Sequence, residues 1–145
     1  MNITLEIIGI LLGSFFILVA AYGTLKRKYN LFLFGICLHG TIPVGGEIIA
    51  FARDENIMHL VIAVMFLIQV IFTLPTSFRY GHKNKTALAL SKRIGYAILI
   101  ANLFTGYLIL NDSIDVTHQF GYMHFAVSII IFYTLVRSYK RKGWT

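Results

Sequence analysis

The sequence predicts an all-α, polytopic integral membrane protein, a five-transmembrane-helix bundle that forms one domain over residues 1–145. Hydrophobic residues make up 57% of the chain, whereas soluble domains are about 45–50% apolar. Five apolar stretches are long enough to cross a bilayer, which takes roughly 20 residues and at least about 17. The segments between these stretches are short and leave no space for a soluble domain.

The predicted helices follow one another with little intervening chain. In order they are Ile3–Leu25, Tyr29–Phe51, Met58–Phe78, Ala87–Leu110 and Phe120–Val136. The first lacks the basic flank of a cleaved signal peptide, so we expect it to be retained. Pro43 removes a backbone donor and predicts a kink in the second helix, which would turn Glu47 inward. Polar residues interrupt the fourth helix, so a shorter span beginning at Ile94 is the alternative.

Charge alternates between the connections and predicts the orientation. All 13 Lys and Arg residues except Arg53 fall on one side of the predicted bundle, and all six Asp and Glu residues fall on the other. Cytoplasmic loops collect positive charge, so the N-terminus is expected outside and the C-terminus in the cytoplasm. A bacterial inner (plasma) membrane is the default location. The net charge of +7 suits anionic lipid headgroups at the cytoplasmic face, and nucleic acid is not an expected partner.

Small residues recur at helical spacing on every predicted helix. Gly9 and Gly13 form a GxxxG pair in the first helix, and Gly106 and Gly121 lie in the fourth and fifth. Because the hydrophobic effect does not drive association in lipid, small residues that let backbones approach are typical of helix contacts. These positions therefore predict packing seams in a compact bundle. Cys37 is the single cysteine, which excludes an intrachain disulfide.

Ionisable residues collect near the outer ends of the predicted helices. This layer contains Glu6, Glu47, His59, Asp115, His118 and His124. Charged groups within a bilayer are costly and are candidates for functional sites. Glu47, His59, His118 and His124 are the candidate ligands of a divalent metal ion, because imidazole nitrogen and carboxylate oxygen suit zinc and similar ions.

A b-type haem is the second cofactor that these histidines could bind. Ligation by two histidines needs imidazoles at similar depth on facing helices. The candidate pairs are His59 with His124 and His39 with His124, and the first is favoured because His39 lies closer to the middle of the membrane. The structural alternative is that all of these side chains are interfacial or hydrogen-bonded packing residues.

The sequence contains no motif that predicts catalysis. It has no Walker loop, no dinucleotide fingerprint and no Ser or Cys nucleophile with a recognisable base, so no catalytic residue is predicted. The leading hypothesis is a small non-enzymatic accessory or ligand-binding subunit, whose partners are other membrane subunits or a second copy in a homo-oligomer. The alternatives are a haem or metal protein, and a small transporter or channel. Its polar path would contain His39, Glu47, Gln69 and Asn102.

Overall fold

The computed structural model describes residues 3–74, 85–114 and 116–140, with side chains described over 6–74, 92–114 and 116–137. Regular secondary structure in these ranges is entirely helical, which confirms the predicted all-α class. The helices are α1 (Ile3–Leu25), α2 (Tyr29–Asp54), α3 (Ile57–Thr73), α4 (Lys85–Leu110) and α5 (His118–Lys140).

The observed bounds agree closely with the apolar stretches. α1 coincides with its prediction, and α2 runs three residues beyond Phe51 without a break at Pro43. α3 ends at Thr73, and residues 75–78 of its predicted span lie outside the described residues. α4 is helical from Lys85, two residues before its predicted start at Ala87. The shorter membrane span beginning at Ile94 stays a prediction. The Ala and Leu residues that precede Ile94 are strong helix formers, which explains the longer helix.

Three helices are followed, one or two residues after their ends, by a left-handed residue that is not a glycine. Arg27, Glu55 and Asp112 adopt left-handed backbone conformations, with φ of 58°, 55° and 55°. Glycine usually occupies such positions because side chains are strained there. α3 then begins with a conventional cap, since Oδ1 of Asn56 accepts a hydrogen bond from the Met58 N–H at 3.0 Å.

The described helices pack in alternating directions. α2 packs against α1 and α3, α4 packs against α5, and α1 also contacts α5. Gly9 lies beside Phe120, and the Thr24 and Thr134 hydroxyl oxygens lie 2.9 Å apart. Because these two contacts occur in the same order along both helices, α1 and α5 run parallel, with α2 running in the opposite direction.

The bundle consequently has two electrostatically different ends. The acidic end, formed by the α2–α3 and α4–α5 connections, carries Asp54 and Asp112 together with Arg53. The basic end carries Lys26–Lys28 in the α1–α2 turn and Arg137 in the last part of α5. The charge separation read from the sequence is therefore present within the described part of the bundle.

The apolar core lies between α1, α2, α4 and α5 towards the basic end. It consists of Ala20, Phe32, Leu33, Ile36, Ile98, Val127 and Ile131. Backbones approach closely where α1 meets α2. A Cβ atom built on Gly35 would lie 2.5 Å from the Ala20 nitrogen, and one on Gly23 would collide with the Phe32 nitrogen. Glycine at these two positions allows the backbones to touch.

The surface has the composition of a protein that is solvated by lipid. Large apolar side chains more than half exposed occur on every helix; examples are Leu18, Ile49, Val64, Ile100 and Ile129. Four described helices, α1, α2, α4 and α5, are long and apolar enough to cross a membrane, whereas α3 has 17 residues. Contiguous exposed apolar surface is rare on soluble monomers. These features indicate a membrane protein.

Candidate functional site

A cavity of about 680 Å³ lies at the acidic end, between α1, α2 and α3, the beginning of α5 and the α4–α5 connection. This volume falls within the range of small-molecule binding sites. Its walls are largely apolar and include Leu12, Ile42, Ile62, Phe66, Ile109 and Met123. Polar side chains are concentrated at the mouth and at the floor.

His59 links two carboxylates at the mouth of the cavity. Its Nδ1 lies 2.5 Å from Oε2 of Glu47, and its Nε2 lies 3.2 Å from Oδ2 of Asp54. An imidazolium in this position can donate one hydrogen bond to each carboxylate. Oδ1 of Asp54 also accepts from the Asn56 N–H at 3.2 Å. These bonds tie the end of α2 to the beginning of α3 and hold the mouth in shape.

Two buried imidazoles, His39 of α2 and His124 of α5, line the floor of the cavity. These floor histidines are only 3% and 4% exposed. Their ring centroids lie 5.6 Å apart at an interplanar angle of 72°, and the Phe66 ring lies 5.1 Å from that of His124. Neither ring nitrogen of His39 makes a hydrogen bond of ordinary geometry with the described residues, although the ring lies beside the backbone of Gly13. Leaving a buried polar group unpaired costs about 1–3 kcal/mol, so a partner supplied by a ligand would stabilise this ring.

His124 is held by a hydrogen-bonded chain of amides. Its Nδ1 lies 3.0 Å from Oδ1 of Asn102, which is fully buried. Nδ2 of Asn102 donates to Oε1 of Gln69 at 2.7 Å and to the Ile98 carbonyl at 2.9 Å. Nε2 of Gln69 donates in turn to the Ile36 carbonyl at 3.3 Å. The chain joins α5, α4, α3 and α2 and fixes the ring at the cavity floor.

Gly45 and Gly46 also line the cavity, and helix packing does not account for them. A Cβ atom built on either residue would have no neighbour within 4 Å. Glycine within a helix costs roughly 0.5–1 kcal/mol relative to alanine. Because neither residue has a side chain, the cavity is wider at this point than it would be with any other residue there. It allows a molecule in the cavity to approach the backbone of α2.

The structure brings most of the predicted site residues to one place. Glu47, His59, His39 and His124 all line the cavity. His118 does not: it is half exposed and bonds Oδ1 of Asp112 through Nε2 at 2.8 Å. Among the described residues, no three His, Cys, Asp or Glu side chains are grouped so that they could hold a metal ion. Asp115 lies outside the described residues.

The arrangement of the histidines differs from the favoured haem pair. His39 and His124 are the rings in contact, whereas His59 is engaged by carboxylates on both nitrogens. Depth along a helix was the basis for favouring His59, and depth does not reveal which helix faces turn towards each other. Haem and metal binding by these residues stay predictions.

Sequence reasoning missed two contributors to the cavity. Asp54 is not among the predicted site residues, and its five-residue separation from His59 is the available signal for their pairing across a helix–helix turn. Gly45 is not among the predicted site residues either, and its position two residues after Pro43 gives no sign of a cavity. Comparison of the chain with protein-family models, curated proteins and solved structures gave no match.

Proposed function

We propose that this chain is a non-enzymatic integral membrane protein that binds a small, uncharged, largely apolar molecule in the cavity at its acidic end. One observation carries the proposal: the floor histidines are buried below apolar walls, and His39 makes no hydrogen bond of ordinary geometry with the described residues. Ligand sites typically combine an apolar lining with a few polar groups that orient the ligand. The open space beside Gly45 and Gly46 supports the same conclusion.

The charges around the cavity favour an uncharged ligand. The ionisable residues at the mouth are Arg53, Glu47, Asp54, Asp112 and His59. Acidic groups outnumber Arg53, and His59 is already shared by two carboxylates, so an anion would meet repulsion. A charged group at the floor would be removed from water without a counter-ion, which is costly.

The proposal places the mouth of the cavity at the outer surface of the membrane. Five spans with the N-terminus outside would put the acidic end outside and the basic end in the cytoplasm, in accord with the positive-inside rule. In a Cys37→Ala background, cysteines at Asn56 and Ser113 should react with impermeant reagents from outside. A reporter after Thr145 should be cytoplasmic. Labelling of both positions only after membrane disruption would refute this orientation.

Binding of an apolar probe tests the function directly. Purified protein in detergent is titrated with 2-methoxynaphthalene, with protein-free micelles as the blank. Saturable one-to-one binding is expected. Replacing Gly45 and Gly46 together by Leu should fill part of the cavity and weaken binding at least about tenfold, or about 1.4 kcal/mol. Replacing the same pair by Ala adds only methyl groups and should leave binding intact.

The Ala pair is also the folding control. Circular dichroism and the elution volume in gel filtration should agree between the Leu and Ala variants. Binding by a folded Leu variant as tight as that of the unmodified protein would contradict the proposed site. So would the absence of saturable binding to the unmodified protein.

Haem remains a second candidate because of how His124 is held. Histidines that bind metals commonly donate their other N–H to an oxygen, as Nδ1 of His124 does towards Asn102. The edge contact between the floor histidines would have to open to admit an iron atom between them. The absorption spectrum and metal content of the purified protein test this alternative, and a Soret band that disappears in His124→Ala would support it.

A further inference from the structure

The amide chain at the cavity floor has one consistent orientation. Gln69 must direct Nε2 towards the Ile36 carbonyl, because the reversed amide would place two acceptor oxygens 3.3 Å apart. Its Oε1 then accepts from Asn102. Asn102 must direct Nδ2 towards both Gln69 and the Ile98 carbonyl, since its reversed amide would face two acceptors. Oδ1 of Asn102 is therefore the atom that faces His124.

This orientation determines the tautomer of His124. Oδ1 of Asn102 can only accept, so Nδ1 of His124 carries the hydrogen. No described carboxylate bonds the ring, and its burial disfavours an uncompensated charge. A neutral imidazole with hydrogen on Nδ1 has a bare lone pair on Nε2. The only hydrogen bond of the ring within the described residues runs through Nδ1, which leaves Nε2 as an acceptor.

Two hydroxyl groups close to the floor histidines along their helices bond to backbone carbonyls instead of this acceptor. Ser128 donates to the His124 carbonyl at 2.9 Å, and Thr41 donates to the Leu38 carbonyl at 2.7 Å. The hydroxyl group of a ligand can supply the hydrogen atom that Nε2 of His124 accepts. His39, whose ring nitrogens make no hydrogen bond of ordinary geometry with the described residues, offers the complementary donor.

We infer that the cavity selects a lipophilic alcohol or phenol, whose hydroxyl group donates to Nε2 of His124 and accepts from His39. This inference rests on the proposed function and adds the chemical class of the ligand. An ether or ketone of the same shape can accept from His39 but cannot satisfy His124. A hydroxyl group does both, and the apolar body occupies the walls.

A matched pair of probes measures how much the hydroxyl hydrogen contributes to binding. 2-Naphthol and 2-methoxynaphthalene share the aromatic body and the oxygen, and only the former donates. One neutral hydrogen bond contributes about 0.5–1.5 kcal/mol net, so 2-naphthol should bind about fivefold or more tightly after correction for micelle partitioning. His124→Phe should bring the ratio to about one. His118→Phe is the matched control outside the cavity and should preserve the preference.

Nuclear magnetic resonance of ¹⁵N-histidine-labelled protein reports the protonation of the ring nitrogens in the unmodified protein. Nε2 of one buried histidine should have the shift of an unprotonated nitrogen and should move with 2-naphthol but not with the ether. In nanodiscs, displacement of 2-naphthol by diacylglycerol would identify a lipid hydroxyl group. Displacement by 1-octanol but not by diacylglycerol would identify a smaller alcohol, and either result supports the inference.

The outcomes separate this inference from the proposed function. If both probes bind with equal affinity and the Leu pair at Gly45 and Gly46 blocks them, the cavity is a ligand site and the hydroxyl preference is wrong. If neither probe binds saturably, the proposed function itself fails. A protonated Nε2 on both buried histidines would also overturn the tautomer argument.

Discussion

Replacing Gly35 by Ala measures how tightly α1 and α2 are packed. The new Cβ would lie 2.5 Å from the Ala20 nitrogen, 2.7 Å from the Phe16 carbonyl oxygen and 2.8 Å from the Ala20 Cα. Ordinary contact begins at 3.4 Å, so the two helices must separate by about 0.9 Å here. The atoms in the way belong to a helix backbone, which has no rotamer change available to relieve the clash.

The expected cost follows from these distances. Overpacking of a core costs typically about 1–3 kcal/mol, and a displaced backbone belongs in the upper half of that range. Ala recovers about 0.5–1 kcal/mol as the better helix former. The net loss in the free energy of unfolding should therefore be about 2 kcal/mol. Gly45→Ala is the matched control in the same helix, since its Cβ meets nothing within 4 Å.

Unfolding in mixed micelles of dodecyl maltoside and sodium dodecyl sulfate, followed by far-ultraviolet circular dichroism, measures both variants. Gly35→Ala should lower the free energy of unfolding, while Gly45→Ala should leave it unchanged or raise it by up to about 1 kcal/mol. Equal stability of the two variants would show that α1 and α2 do not touch at this point and would refute the packing.

The same titration checks four further substitutions and one double variant. Asn102→Leu and Gln69→Leu should each lower the free energy of unfolding by about 1–3 kcal/mol, because each leaves buried polar groups without a hydrogen-bond partner. The loss in the double variant should be smaller than the sum of the two single losses by at least about 0.5 kcal/mol. Strict additivity would contradict the amide chain. His118→Ala should change the free energy of unfolding by less than about 0.5 kcal/mol, because its bond to Asp112 is solvent-exposed; a larger loss would indicate a structural role. Glu55→Gly should stabilise by about 0.5–1 kcal/mol, because φ is 55° at this position; a loss would argue against the left-handed turn.

The helices were predictable because their determinants are local. The length of an apolar stretch sets the length of a helix, and four predicted N-terminal or C-terminal bounds, those at Ile3, Leu25, Tyr29 and Leu110, agree with the structure. The charge separation was equally readable, since charges such as Lys26–Lys28, Asp54 and Asp112 stand at helix ends or in the connections. The left-handed positions that follow α2 and α4, Glu55 and Asp112, were not readable, because neither residue is a glycine.

The cavity floor depended on tertiary structure. A helical period indicates that His124 shares a face with Ser128, but it does not say which neighbour that face meets. Helix rotation and pairing brought His124 to His39 and Asn102 rather than to His59.

The sequence likewise shows where the glycines lie on each helix, but only the tertiary structure shows what they contact. Gly9 and Gly13 form the recognisable GxxxG pair, yet they lie beside the side chains of Phe120 and Met123, while Gly35 makes the close backbone contact. Spacing along one chain records which residues share a helix face. What each face touches depends on how all the helices pack together, because a small residue gains its role from the group that comes to lie against it.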